Sequence, residues 1–303
     1  MSFSAIQHRL VQGRPLVLDA DTGAAFRARG VTVAGAGALG RLLRQDPRAV
    51  LAHYQAEVAS RVDVLSALTA DTTPRALAEV GMEHRAAVLT GLAVELAFEA
   101  AEEAPKPVAV AGVLGSEMLS PIAPERHHLE LREHAERLAV AGCELLIARG
   151  QGSRLALMAA VVAAASTELP TWAVIECLPS GELVTGGAVA ELVEPLETAG
   201  ASVILFEVAS ITHGVERLRD ARAAGLGNAA SGVLLAASGG SVRGYPDAAA
   251  APDEWARGAL ELDAARARVI GGGAGTTEAH AAALARELGA LHPSIPAPRS
   301  TRR

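Results

Sequence analysis

Charged side chains stand at the ends of three apolar runs, where a folded chain can bring them together for chemistry. PLVLD ends on Asp19, ELLIAR ends on Arg149, and VILFE ends on Glu207. A guanidinium binds carboxylates and phosphates through paired hydrogen bonds, and a carboxylate can act as a general base. A charge at the end of a buried run is costly unless it has a partner or a ligand. We therefore predict that Asp19, Glu207 and Arg149 are the catalytic residues.

A glycine-rich turn follows the last apolar run of the chain, in VIGGGAGTTEAH (269–280). A turn of this kind that runs into a helix exposes several backbone N–H groups, which suits an anion or a closely approaching ligand. The predicted substrate-binding residues are Asp21, Gly23, Gly271, Gly272, Gly275 and Thr276. Asp21 or Thr22 fits the N-cap of one helix, Thr276 or Thr277 fits that of another, and Gly23 suits a tight turn, so a structural role is open for these residues.

Eight short apolar runs alternate with longer segments of helical period. The runs cover residues 15–19, 62–66, 107–112, 143–148, 171–176, 202–207, 232–237 and 267–272. Their near-continuous apolarity is typical of parallel strands that are covered on both faces. Eight strands separated by helices predict a single (βα)8 TIM barrel of the α/β class, with a doubly wound sheet as the alternative. The predicted catalytic residues then stand at the C-terminal ends of strands, where barrel enzymes hold their active sites.

One barrel domain is predicted over residues 1–303, with its core at about 15–291. The segments 127–142 and 277–289 predict helices that end on glycine, and 75–103 predicts one or two helices. The two ends, residues 1–14 and 292–303, have no apolar run of their own and are expected outside the barrel. The C-terminal end is rich in proline and finishes on basic residues, which predicts disorder.

The composition limits the kinds of binding partner that we expect and indicates the cellular compartment. The chain has 303 residues, 50% of them hydrophobic, and a net charge of −7 at pH 7. This acidic balance, with only 3% aromatic residues, argues against nucleic acid and against an anionic membrane as partners. Cys143 and Cys177 lie singly in apolar runs, which fits a reducing compartment. The N-terminus lacks the pattern of a signal peptide, so a cytoplasmic protein is expected.

A histidine-rich segment, PERHHLELREH, offers a weaker candidate for chemistry. It places His127, Glu130 and His134 on one helix face. Such a face can bind a metal ion, but a solvated helix surface is the interpretation that we favour.

Two segments carry a resemblance to a known family. LDADTGAAFRARG (18–30) resembles the opening LDGAMGTELxxRG of the homocysteine S-methyltransferase family. VIGGGAGTTEAHAAALARELG (269–289) is similar to that family's closing IGGCCGTTPxHIxAIAxxL. The order and spacing of the matching segments agree over about residues 15–290. The resemblance implies the barrel fold, which the strand count also predicts, and it implies methyl transfer as the reaction.

The same resemblance exposes departures at the family's metal site. In the family, zinc is held by the adjacent cysteines of GGCCG and by a third cysteine from a GxNC segment, and it keeps the homocysteine sulfur as a thiolate. Here the corresponding residues are Gly273, Ala274 and Val208, which offer zinc no ligand. Glu207 replaces the asparagine of GxNC, and Arg149 replaces a glutamate. The resemblance therefore implies that this chain has lost the zinc site.

We predict a zinc-independent transferase, similar to the homocysteine S-methyltransferases, that acts on a small polar, anionic molecule and uses no cofactor. The alternatives are a non-catalytic homologue that binds a small molecule or a partner, and a barrel lyase that uses Arg149 and a carboxylate. A methyl donor carried by a cobalamin or folate domain would be a separate protein, and a homo-oligomer is also open. Arg149 and Glu207 either pair with each other or serve a ligand. In both cases they should point into the barrel mouth near Asp19.

Overall fold

The computed structural model describes residues 2–115, 122–150, 152–237 and 250–292. Eight parallel strands close into a barrel in the order in which they occur in the chain. The strands are β1 (Leu16–Leu18), β2 (Val64–Ser66), β3 (Ala109–Leu114), β4 (Leu145–Arg149), β5 (Thr171–Glu176), β6 (Ala201–Val208), β7 (Ala230–Leu235) and β8 (Val269–Gly272). Each predicted apolar run overlaps one strand, so the predicted (βα)8 barrel is confirmed.

Helices connect the strands and cover the outside of the barrel. Those in the described ranges are α1 (Ser2–Val11), α2 (Thr22–Ala28), α3 (Ala38–Gln45), α4 (Pro47–Ala59), α5 (Pro74–Ala78), α6 (Ala86–Glu102), α7 (Pro124–Val140), α8 (Arg154–Ala165), α9 (Ala190–Thr198), α10 (Ile211–Ala223), α11 (Pro252–Ala264) and α12 (Glu278–Leu291). Four of them begin on proline, whose missing N–H has no helical partner in the first turn. None of the helices in these ranges has the length and apolarity needed to cross a membrane.

Side chains of the strands alternate between two apolar layers. On β4, Leu145 and Ile147 belong to a cluster inside the barrel, whereas Leu146 and Ala148 pack with the helices. The same alternation holds along β5, where Trp172 is among the largest fully buried side chains. Because successive residues of a strand point to opposite faces, these layers determine the direction of the residue that ends each strand.

Helix α1 closes the end of the barrel at which the strands begin. Ile6 packs in the interior cluster, and Arg9 and Lys106 both pair with the buried carboxylate of Asp63. Residues 2–14 contribute no strand, as predicted, but they complete the core. In barrels this end serves stability, while chemistry takes place at the opposite end.

One helix end differs from the prediction. Helix α7 ends at Val140, and Gly142 behind it has a φ of 98°, which glycine adopts without a steric penalty from a Cβ. Helix α12 instead runs through Gly289 to Leu291, so the predicted stop at Gly289 is wrong. A glycine permits a helix to end but does not force it to end, and α12 continues through Gly289. Of the tail predicted to be disordered, only His292 lies within the described residues.

Candidate active site

The carboxyl ends of β4 and β6 carry an ion pair that faces into the barrel mouth. Arg149 continues the inward row of β4, and Glu207 continues the inward row of β6. The Arg149 guanidinium donates to the Glu207 carboxylate, and the two side chains are 26% and 12% exposed. Both side chains face the mouth, as predicted, and of the two alternatives left open the structure shows the ion pair. Their catalytic role stays a prediction.

A further carboxylate lies on the strand between them. Glu176 ends β5 on the inward row of Trp172 and Val174, and it is the register partner of Glu207. Sequence reasoning missed this residue, although TWAVIE ends on a charge just as VILFE does. Three neighbouring strands thus bring two carboxylates and one guanidinium to the same side of the mouth.

Cys177 directly follows β5 and is buried. Its backbone N–H donates to the Glu207 carbonyl, with 2.9 Å between N and O. Burial raises the pKa of the Cys177 thiol to about 12. The thiol is therefore protonated at neutral pH, and it does not supply a nucleophilic thiolate.

Asp19 directly follows β1 and is 4% exposed. Its carboxylate oxygens accept hydrogen bonds from the backbone N of Ser66 at 2.6 Å and from the Ser66 hydroxyl at 2.8 Å. Burial raises the pKa of Asp19 to about 6, although both hydrogen bonds favour the charged form. The carboxyl of Asp19 thus titrates close to neutral pH, which suits a group that takes up and releases a proton.

Asp19 and the ion pair lie on different sides of the barrel. In the closed strand order, β1 is three strands away from β4 and three strands away from β6. The expectation that Arg149 and Glu207 lie near Asp19 therefore needs correction, because it ignored the width of an eight-stranded barrel. A bound molecule has to span the mouth to reach both groups.

Asp21 joins the turn after β1 to the turn after β8. Its carboxylate caps α2 by accepting from the N–H of Gly23 and of the next residue, and it also accepts from the N–H of Gly275 at 2.9 Å. The buried Thr276 hydroxyl accepts from the N–H of Asp21 at 3.1 Å and donates to the Gly273 carbonyl at 2.7 Å. The N-cap role of Asp21 is confirmed, whereas Gly23 lies inside α2 and makes no separate turn.

Close backbone contacts shape the glycine turn after β8. A Cβ on Gly271 would lie 2.9 Å from a side-chain carbon of β1, and one on Gly272 would lie 2.2 Å from the Thr276 hydroxyl. Gly275 has a φ of 83°, in the region that favours glycine. Thr277 rather than Thr276 caps α12, because the Thr276 hydroxyl is turned to the β1 loop. The predicted role of these residues in substrate binding stays a prediction.

Two buried polar side chains on helices differ from what the sequence suggested. Glu57 on α4 is fully buried, and its Oε2 accepts from the N–H of Ala20 at 3.4 Å. Sequence reasoning passed over it, since a glutamate in a helix usually lies on the surface. His134 on α7 is also buried, and its Nε2 lies 3.0 Å from the Thr69 carbonyl oxygen. The predicted solvated face is therefore wrong for His134.

The positions where the family resemblance places zinc ligands hold no donor side chains. Val208 is fully buried among the apolar residues between the sheet and the helices. A Cβ on Gly273 would lie 2.9 Å from the backbone N of Ala236, so this position has no room for a side chain. Elsewhere in the described ranges, no three His, Cys, Asp or Glu side chains are arranged to hold a metal ion. The residues present do not fit zinc, which needs sulfur, imidazole or carboxylate ligands.

The closed barrel of eight parallel strands is a TIM barrel, a fold in which enzymes hold their active sites at the carboxyl ends of the strands. The model of the homocysteine S-methyltransferase family matches residues 16–288. The chain therefore belongs to this family, as the two terminal motifs implied. Membership of the family supports a methyltransferase-like function.

Solved structures agree with this fold. The homocysteine methyltransferase MmuM from Escherichia coli, in its metallated form, matches with a TM-score of 0.77 at 21% identity, over 93% of this chain and 99% of that chain. The apo form of MmuM matches with a TM-score of 0.68 at 20% identity, over 90% and 95%. The 3-dehydroquinate dehydratase from Geobacillus kaustophilus HTA426 matches with a TM-score of 0.52 at 10% identity, over 93% of each chain. At such identities the likeness shows the fold alone. A comparison with curated proteins finds no match.

Proposed function

We propose that this protein is a zinc-independent transferase of the homocysteine S-methyltransferase family, which acts on a small polar molecule with an anionic group. The observation that carries the proposal is the Arg149–Glu207 pair on the inward rows of β4 and β6. A guanidinium matches the geometry of a carboxylate or phosphate, and Glu207 orients it. Val208, Gly273 and Ala274 support chemistry without a metal, because they bring no ligand atoms to the family's metal positions.

Asp19 is the base in this proposal. Without a metal, a substrate thiol with a pKa of about 8.5 is mostly protonated at neutral pH, so the reaction needs a proton acceptor. The nucleophile's bond to hydrogen breaks, and an O–H bond forms on Asp19. The electron pair left on the nucleophile forms a bond to the methyl carbon while the donor's bond to that carbon breaks, and the donor leaves with the electrons of that bond. A carboxyl with a pKa of about 6 suits this task. With its anionic group held by Arg149, the substrate reaches Asp19 across the mouth.

A non-catalytic homologue that binds a small molecule or a partner is the second candidate. The observation in its favour is that Arg149 and Glu207 neutralise each other's charge. In that case the pair contributes to stability, and its replacement changes the melting temperature without changing the binding of any anion.

Thermal shift measurements test the proposal on protein that has been dialysed against a chelator. A ligand that binds only the folded state raises the melting temperature. We expect a rise with at least one member of a panel of small carboxylates, phosphates and homocysteine. Arg149→Ala should abolish that rise and keep the fold, whereas Arg132→Ala, which removes a surface guanidinium on α7, should leave it unchanged.

Two outcomes would contradict the proposal. One is a rise in melting temperature that Arg149→Ala leaves intact. The other is one zinc ion per chain, found by elemental analysis, that survives the dialysis. A methyl-transfer assay on the ligand found by the panel, with wild type and Asp19→Asn, then separates an enzyme from a binding protein.

A further inference from the structure

Glu57 is a buried acid for which neither the fold nor the proposed function has a use so far. It lies on α4 and is 0% exposed. Its Oε2 accepts from the N–H of Ala20, the residue next to Asp19. Its Oε1 is buried and has no hydrogen-bond partner in the described part of the chain. An ionised carboxylate in this position would be buried and would have no hydrogen-bond donor at Oε1, which makes the charged form costly.

The charges around Glu57 are mostly of its own sign. The carboxylates of Asp19 and of Glu278, in the first turn of α12, both act on it, and Arg29, which directly follows α2, is the cation that acts on it. That guanidinium is already bonded to Glu278 Oε1 at 2.7 Å. His53 on α4 adds no positive charge, because burial and the charge of Arg29 lower its pKa to about 3. Glu57 thus faces two carboxyl groups and one cation, and that cation is already paired with Glu278.

A second buried oxygen in this cluster also lacks a donor. Oε2 of Glu278 is buried without a hydrogen-bond partner among the described residues, like Oε1 of Glu57. Two carboxylates offer only acceptors, but a protonated carboxyl offers one O–H donor. Tyr54, also on α4, does not ionise near neutral pH, because burial raises its pKa, and its hydroxyl oxygen accepts from the N–H of Leu68.

We propose that Glu57 holds a proton on Oε1 at neutral pH and is a positioning residue that leaves Asp19 free to ionise. This rests on the proposed function, in which Asp19 is the base. Like charges that share one cluster do not all ionise together, so the cluster retains one proton, and the most deeply buried member keeps it. Burial and the charge of Asp19 raise the pKa of Glu57 well above its usual range, which agrees with this placement. Asp19 has the two Ser66 hydrogen bonds that favour its charged form and gives up its proton first.

Infrared spectroscopy of the whole protein tests where the proton is. At pH 7 the wild type should show the carbonyl band of a protonated carboxyl, distinct from the carboxylate bands. Glu57→Gln, which has the size and the donor capacity of the neutral acid, should remove that band. Glu136→Gln, a matched change at an exposed position on α7, should leave it. A wild type without the band, or a band that persists in Glu57→Gln, would overturn the proposal.

The titration of Asp19 gives a second, independent readout. With carbon-13 in the aspartate carboxyls, the Asp19 signal should titrate near pH 6 in the wild type and at the same pH in Glu57→Gln, because a neutral group replaces a neutral group. If Glu57 is ionised instead, the same change removes a negative neighbour and lowers the midpoint by about one pH unit or more. That shift would refute the proposal. Both measurements are made without ligand, so their failure leaves the Arg149-dependent binding test untouched.

Discussion

The two sides of the barrel mouth are held by different kinds of contact. On the β1–β8 side, Asp21, Gly275 and Thr276 bond to one another across two turns. On the β4–β6 side, Arg149 and Glu207 stand on inward rows and pair across one intervening strand. The first side is built from short backbone contacts and small residues. The second is built from long charged side chains that reach into the mouth.

The β1–β8 side has the sequence motifs of the family, whereas on the β4–β6 side this chain differs from the family in its charged residues. The β1–β8 side contains the two motifs that resemble the homocysteine S-methyltransferases, and in it Gly271, Gly272 and the Thr276 hydroxyl have packing or hydrogen-bonding tasks. The β4–β6 side departs from the family at Arg149 and Glu207, and these side chains face the barrel mouth. We therefore expect changes on the first side to act on stability and changes on the second to act on ligand binding.

The largest effect should come from adding one methyl group to the β1–β8 side. Gly272→Ala places a Cβ 2.2 Å from the Thr276 hydroxyl oxygen and 2.8 Å from the Ala20 Cα. The second contact is to a backbone atom, which cannot move aside as the end of a flexible side chain can. We expect a loss of about 3 to 4 kcal/mol in the free energy of unfolding, measured by urea denaturation. The matched change Gly91→Ala, in the interior of α6 where nothing lies within 4 Å, should stabilise by about 0.5 to 1 kcal/mol. Equal effects at the two glycines would show that the turn is not tightly packed.

Asp19 should make stability depend on pH in an unusual direction. Its pKa is raised from 3.8 to about 6 on folding, so the folded state binds the proton more tightly than the unfolded state. This contribution is fully present below pH 3.8 and is lost as the pH rises through 6. Between pH 4 and pH 7 the loss should be about 2 kcal/mol, relative to Asp19→Asn, which does not titrate. If the difference between the two unfolding curves is flat with pH, Asp19 is not buried as described.

Arg149→Ala should lower stability by about 2 kcal/mol, because it leaves the Glu207 carboxylate largely buried without its cation. This is less than for a fully buried pair, since water screens the partly exposed guanidinium. The double variant Arg149→Met with Glu207→Leu should recover most of the loss in the same denaturation assay. If the double variant is no more stable than the single one, a steric rather than an electrostatic cause is at work.

The smallest effect should come from a single hydroxyl on the β1–β8 side. Thr276→Val removes the acceptor for the Asp21 N–H and the donor for the Gly273 carbonyl, both in a buried place. A loss of about 1 to 2 kcal/mol is expected. Thr185→Val, at an exposed hydroxyl in the loop after β5, should change the midpoint of denaturation by little. A negligible loss at Thr276 would mean that water replaces its bonds and that this side is less closed than its contacts indicate.

Much of the fold could be predicted because it depends on local patterns. Parallel strands that are covered on both faces need continuous apolar runs, and eight such runs indicated a closed barrel before any contact was known. The turn chemistry was readable as well, since Asp21 has the residue type and the position of an N-cap. The stop predicted at Gly289 failed because glycine permits a turn but does not enforce one.

The sequence by itself determined which charges end the strands and, through the alternation of side chains, that Arg149 and Glu207 face inward. Only the tertiary structure decided which of them meet. The spacing of strands around a closed barrel separates Asp19 from the ion pair, and no sequence distance encodes that width. The tertiary structure also determines that Glu57 and His134 are buried, because the elements that cover them are distant in the chain. The free energy of a charge depends on the water and the partners around it, and these exist only after the chain has folded.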